Sequence, residues 1–214
     1  MDLKTGDTRL IIDVCKQHGL LRNQAAYVLG TAKHETAGTM KPVRETLAKS
    51  DAGAMAALTK AWKSGRLSWV KKDYWSSGFF GRGYVQLTHE ANYRFAGEQL
   101  GIGLATRPSL ALEPDVAAEI IVVGMRDGWF AGDKKGRHKL SRYITRDKSD
   151  FVAARRIVNG MDRADLVAGY ARNYDALLKA EGYGSDTPAP TPAPTAEAPA
   201  RGFWARIFNF FFGD

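Results

Sequence analysis

His34-Glu35-Thr36-Ala37 and, just beyond it, Arg44-Glu45-Thr46 decide how this chain is read. The first glutamate closes an alanine-rich helical run, and the second follows Pro42 in a loop. A carboxyl group on a rigid helix end and another on the next loop can face one bond from two sides. General acid and general base on opposite sides of a bond require that placement. Solvated loop glutamates have the same spacing, so the pair needs support from elsewhere in the chain.

The support is Phe80-Gly81-Arg82-Gly83-Tyr84-Val85-Gln86-Leu87-Thr88-His89-Glu90-Ala91-Asn92-Tyr93. Gly81-Arg82-Gly83 makes a flexible turn where backbone can approach a ligand. Tyr84 to Thr88 alternates as a short strand, and His89 or Glu90 starts a helix that ends at Leu100 before Gly101. Gln86, Thr88 and Asn92 are neutral hydrogen-bonding groups near one strand end, suited to hold a sugar amide or position a water. The Lys-Ser/Thr ending of a phosphate loop is absent.

Helical spacing organises the rest of the chain. A first helix spans 8–18, with Leu10, Ile11, Val14 and Cys15 inward and Gly19 as its stop. Asn23 is expected to cap a second helix running to Thr36, with Glu35 in its last turn. The negative pole of that helix would push the Glu35 pKa upward, which suits a group that must donate a proton. Ser50 or Asp51 begins a third helix that ends near Gly65. Residues 66–79, with Trp69, Tyr74 and Trp75, either line a groove or pin a long loop to the core. Pro114 opens a helix toward Trp129. Residues 131–148 read as a basic loop or small hairpin, Ser149 as the cap of a helix that reaches Ile157-Val158-Asn159-Gly160, and 162–180 as a last long helix.

The chain has 214 residues, 44% of them hydrophobic and 25% charged, which suits one globular domain with an appendage. Its single cysteine, Cys15, permits no intrachain disulfide and reads as a buried thiol. The amino terminus lacks the pattern of a signal peptide, so synthesis and folding in the cytoplasm are expected. Net charge is +8; Arg201 and Arg206 stand against Asp186, Glu197 and Asp214 beyond Gly184, so residues 1–184 carry +9. A basic body favours polyanions such as an anionic wall polymer or lipid, unless the charge serves solubility alone. No nucleic-acid motif is present, and the scattered histidines argue against a metal site.

Residues 1–184 form the expected catalytic domain. Residues 185–200 are a proline-, alanine- and threonine-rich linker. Residues 201–214 crowd Phe203, Trp204, Ile207, Phe208, Phe210, Phe211 and Phe212 into a tail too short to span a bilayer but suited to a membrane interface. Docking of the tail back onto the domain is the alternative.

Together, His34-Glu35-Thr36, Arg44-Glu45, Gly81-Arg82-Gly83-Tyr84-Val85-Gln86-Leu87-Thr88 with Asn92-Tyr93, and Arg156-Ile157-Val158-Asn159-Gly160 resemble glycoside hydrolase family 19. This chitinase-like family includes many phage endolysins, and the likeness covers roughly residues 8–182. It implies a mainly helical (α+β), lysozyme-like domain of two lobes, with a small β element and a catalytic cleft. It also implies inverting hydrolysis of a β-1,4 bond beside an N-acetylated sugar, with no cofactor. By that resemblance Glu35 is the general acid, Glu45 the base that activates water, and Thr88 the hydroxyl that holds this water. His34, Tyr84, Gln86, Asn92 and Asn159 match cleft residues that bind sugar. Two positions depart from the pattern. Met161 stands where many chitinases have a second glycine. Ala164-Asp165-Leu166 lacks the arginine that bonds the acidic pair, so that partner is either missing or supplied by Arg163 or Arg44.

The resulting expectation is a monomeric endolysin that cleaves peptidoglycan strands and lyses the host once released to the wall. The alternatives are a chitinase, a non-catalytic wall-binding module, and, less well supported, an amidase or peptidase.

Overall fold

In the computed structural model, which describes residues 1–184, seven α-helices enclose the site with two small β-ladders. Helix α1 (Thr8–Gln17) buries Ile11, Ile12, Val14 and Cys15, and Gly19 reverses the chain at φ +61°. Helix α2 (Arg22–Glu35) is buried on nearly all sides, which an alanine- and glycine-rich helix allows by letting neighbours approach closely. Helix α7 (Ala164–Ala180) packs along it. The two touch at Gly30, where an added Cβ would lie 2.9 Å from the Ala171 nitrogen. Helix α5 (Pro114–Asp127), opened by its proline and closed by Gly128 at φ +82°, covers α1.

The core is in two parts. The larger joins α1, α2, α5 and α7 to Tyr84, Leu87, Tyr93 and Phe151. The smaller contains Ala54, Leu58 and Ala61 of α3 (Asp51–Lys63) with Leu67, Val70, Trp75 and Phe80. These two clusters are the two lobes expected from the sequence. Ser50 caps α3 by accepting from the Gly53 N–H at 3.1 Å. Trp75 pins the 66–79 loop, with its indole N–H donating to Thr59 Oγ1 at 2.8 Å.

Strand β1 (Val43–Arg44) pairs antiparallel with β2 (Arg82–Gly83), Val43 opposite Gly83 and Arg44 opposite Arg82. The pairing joins the loop after α2 to the glycine-rich segment, a contact that sequence spacing does not reveal. Strands β3 (Gly132–Asp133) and β4 (Gly136–Arg137) make the small basic hairpin. Helix α4 (Glu90–Leu100) ends at Gly101, and a short α6 (Leu140–Tyr143) follows the hairpin.

Three local expectations are corrected. Residues 84–88 form a tight turn, closed by an Arg82–Leu87 bridge, in which Gln86 takes φ +55° and cannot continue a strand. Asn23 lies inside α2 and donates to the Thr145 carbonyl and to Ser149 Oγ, both at 2.8 Å. The α2 start is instead closed by Gln24, which accepts from the Leu21 N–H at 3.2 Å. Ser149 is thus engaged with Asn23, and Asp150 Oδ1 accepts the Ala153 N–H at 3.0 Å where the 3₁₀ segment Ala153–Ile157 begins. The linker and tail at 185–214 lie outside the described residues.

Candidate active site

Glu35 is the last residue of α2, and its side chain is buried. Arg155, also buried, donates from Nη1 to Glu35 Oε1 at 2.8 Å. Arg155 is held in turn by its Nε, which donates to the Asp162 carbonyl at 3.0 Å. Burial pushes the Glu35 pKa up, and the Arg155 guanidinium opposes part of that rise. Burial is thus the first cause of the upward shift expected from the helix end.

The arginine that bonds the acid is therefore neither Arg163 nor Arg44. It is Arg155, one residue before the segment matched by motif. Arg44 binds Asp51 at 2.6 Å instead. Nothing in helical spacing singles out Arg155. Its signal was the adjacent Arg155-Arg156 pair in a stretch otherwise destined for the core. His34 sits beside the same group; burial first, then the Arg155 and Arg163 charges, lower its pKa to about 3. It is neutral at physiological pH.

Glu45 opens a 3₁₀ turn directly after β1 and is equally buried. Its main-chain N–H extends the ladder to the Gly81 carbonyl at 2.7 Å. Its carboxylate accepts the Gly81 N–H at Oε2, 2.7 Å away, and the Tyr74 hydroxyl at Oε1. Burial raises its pKa to about 7, while Tyr74, Gly81 and Arg82 favour the carboxylate. The turn stores strain: Thr46 and Leu47 both sit in the left-handed region, at φ +65° and +54°. A Cβ at Gly81 would come within 2.7 Å of Gln86 Oε1 and displace that amide.

Arg82 underlies this half of the site. It is buried, stacks 3.8 Å from the Phe80 ring centroid, and donates to Asp51 Oδ2 at 2.8 Å and to the Gly78 carbonyl at 2.8 Å. Tyr74 and Arg82 complete the Glu45 environment; the sequence marked Tyr74 only as one aromatic of an ambiguous loop.

The remaining expected residues form a hydrogen-bonded chain. Gln86 Nε2 donates to the Val43 carbonyl at 3.2 Å, Thr88 Oγ1 to the Gln86 carbonyl at 2.8 Å, and Asn92 Nδ2 to the Thr88 carbonyl at 2.8 Å. Asn159 lies on the Glu35 side, its main-chain N–H bonded to the Arg155 carbonyl at 2.9 Å. Tyr84 is placed differently from expectation. It is fully buried, and its hydroxyl donates to Asp7 Oδ2 at 2.6 Å, so it ties the amino terminus to the glycine-rich turn and presents no surface to a sugar. Among the described residues no group of three or more His, Cys, Asp or Glu side chains is placed to hold a metal ion.

No protein-family model matches the chain. Among curated proteins it is similar to the acidic 26 kDa endochitinase of Solanum lycopersicum, 34% identical over 68 residues, which is 31% of this chain and 25% of that protein. Among solved structures it is similar to chitinase C from Streptomyces griseus HUT6037, with a TM-score of 0.51 and 21% identity over 82% of this chain and 63% of that one. A chitinase C mutant with glutamate replaced by glutamine aligns with a TM-score of 0.53 and 18% identity, over 80% of this chain and 68% of its own. The chain thus spans about a quarter of the curated relative and 63% of the first structure. What these likenesses define is a class of fold: the domain is mainly helical, two-lobed and built like chitinase C.

Proposed function

We propose that the chain is a family 19, chitinase-like glycoside hydrolase that cuts β-1,4 bonds in the glycan strands of bacterial peptidoglycan, acting as an endolysin. One observation carries the chemistry: two buried carboxyl groups, one held from each lobe, with opposite kinds of support. Glu35 has a guanidinium beside it. Glu45 has a phenol and a backbone N–H.

In the proposed reaction Glu35, whose pKa burial raises, gives its proton to the leaving glycosidic oxygen as the C–O bond breaks. Glu35 thereby becomes a carboxylate, and Arg155 at 2.8 Å stabilises the charge as it forms. Glu45, ionised, takes a proton from a water that attacks the anomeric carbon from the opposite face. Its pKa of about 7 matches a base working near neutrality. One water is consumed and the anomeric configuration inverts.

Charge favours peptidoglycan as the substrate, because a body carrying +9 over residues 1–184 is attracted to a wall polymer bearing peptide carboxylates. The names of the relatives favour a second reading, a chitinase. The aromatic segment 201–214 is proposed to touch the membrane after release to the wall; equal leakage from anionic vesicles with and without it would sink that idea.

Mass spectrometry of products from purified peptidoglycan and from chitin oligomers separates the readings. Disaccharide-peptides ending in reducing N-acetylmuramic acid support the endolysin. Chitobiose from chitin, with peptidoglycan intact, supports the chitinase. No product from either rejects both, and Glu35→Gln should abolish whichever product forms.

A further inference from the structure

From Ala52 to Lys72 the chain holds five cations, Lys60, Lys63, Arg66, Lys71 and Lys72, and no acid. All five are exposed. Lys60 and Lys63 close α3 and favour its negative pole, which accounts for two of them. That explanation does not reach Arg66, Lys71 and Lys72, which follow the helix.

The fold draws the group together. Trp62 donates its indole N–H to the Val70 carbonyl at 2.9 Å, which fastens the end of α3 to the segment that carries Lys71 and Lys72. In the same lobe Arg44 and Arg82 share Asp51. By contrast, among the described residues none of Lys60, Lys63, Lys71 and Lys72 has a carboxylate oxygen within 4.0 Å. Trp62 is 36% exposed. With its N–H already used, it offers the outside only apolar ring. Two residues past Lys72 comes Tyr74, which holds Glu45.

Building on the peptidoglycan reading above, we infer that this small-lobe face is a second contact surface for the polymer. The lysines meet peptide-stem carboxylates and Trp62 lies against a sugar ring, which leads the strand toward Glu45. A neutral glycan would gain only the indole contact. The face therefore discriminates by charge, separately from the carboxylates that do the chemistry.

The test is sedimentation of the full-length chain with purified peptidoglycan sacculi, in a Glu35→Gln background so that the polymer stays whole. The comparison protein carries Lys63→Gln, Lys71→Gln and Lys72→Gln as well; these side chains are exposed, and a thermal melt checks that the fold is retained. Binding of the parent should weaken as salt is raised. The triple variant should bind about tenfold more weakly and show a shallower salt dependence. In the active background it should hydrolyse short uncharged N-acetylglucosamine oligomers at the parent rate. Unchanged sacculus affinity and salt slope would overturn the assignment. So would a loss seen only on phosphatidylglycerol vesicles, which would make the face a lipid contact. Failure of both proteins to cut any glycan would reject the hydrolase reading but leave the sacculus result standing.

Discussion

Tyr74 sets the working range of Glu45. The phenol donates to one carboxylate oxygen and the Gly81 N–H to the other, so both bonds favour the ionised form. A hydrogen bond to a charged group is worth about 1.5–3 kcal/mol, which corresponds to about one to two pH units. Tyr74→Phe removes one such donor without opening a large cavity. The Glu45 pKa should then rise from about 7, and the acidic limb of the pH profile of kcat/KM should move up by about one unit. Activity at alkaline pH should recover toward that of the parent chain. A uniform loss at every pH would show that the ring acts only by packing. At this scale the sequence was legible for the carboxylates and less so for what holds them. Glu35 and Glu45 were singled out only together with the Gly81–Thr88 segment. Arg155 and Tyr74 reach them across 120 and 29 residues of chain, and no local pattern records such contacts. Tyr84 failed in the reverse direction: its neighbours in sequence belong to the site, but the turn at Gln86 sends its ring into the core.

Helix α2 fixes Glu35 only as well as α7 fixes α2. An alanine at Gly30 would place its methyl 2.9 Å from the Ala171 nitrogen and 3.2 Å from the Val167 carbonyl oxygen, both rigid backbone. Gly30→Ala should therefore cost about 1–3 kcal/mol by overpacking. It should also lower kcat, because tilting α2 moves Glu35 against Arg155. Gly169, on α7 itself, has nothing within 4 Å of an added Cβ. Gly169→Ala should stabilise by about 0.5–1 kcal/mol through helix propensity, with kcat unchanged. Chemical denaturation and steady-state rates on the two variants check both expectations, and equal effects would discount the contact. The long helices were legible because their period is local and their stops are glycines: Gly19, Gly101 and Gly128 all take positive φ. The β1–β2 pairing was not, since two-residue strands carry no alternation to read. The run from Tyr84 to Leu87 alternated like a strand, yet the backbone had to turn there to close the Arg82–Leu87 bridge.

Across the whole molecule, the buried Glu45 carboxyl costs stability that the fold must supply from its two cores. Glu45 titrates at 4.5 in the reference state and at about 7 when folded. Between those values the native chain binds a proton that the unfolded chain has released. Stability therefore falls as pH rises through this window, and the full cost, about 3 kcal/mol, is present above pH 7. Below the unfolded value both states are protonated and the cost vanishes. Glu45→Gln removes the titration while keeping an oxygen for the Gly81 N–H and an amide that can donate to the Tyr74 oxygen. The variant should match the parent in Tm at acidic pH, pull ahead as pH passes the unfolded value, and reach a constant advantage above neutrality. It should also be inactive, since an amide cannot take a proton from water. Melting curves across the pH range, read beside the product assay, test both halves. A Tm advantage that is independent of pH would show that the gain came from packing. A disadvantage at alkaline pH would show that the charged hydrogen bonds to Tyr74 and Gly81 outweigh desolvation, and that Glu45 is ionised throughout the working range. A stable, inactive Glu45→Gln would mean that this fold carries a group kept against its own stability, which is the signature of a residue retained for chemistry.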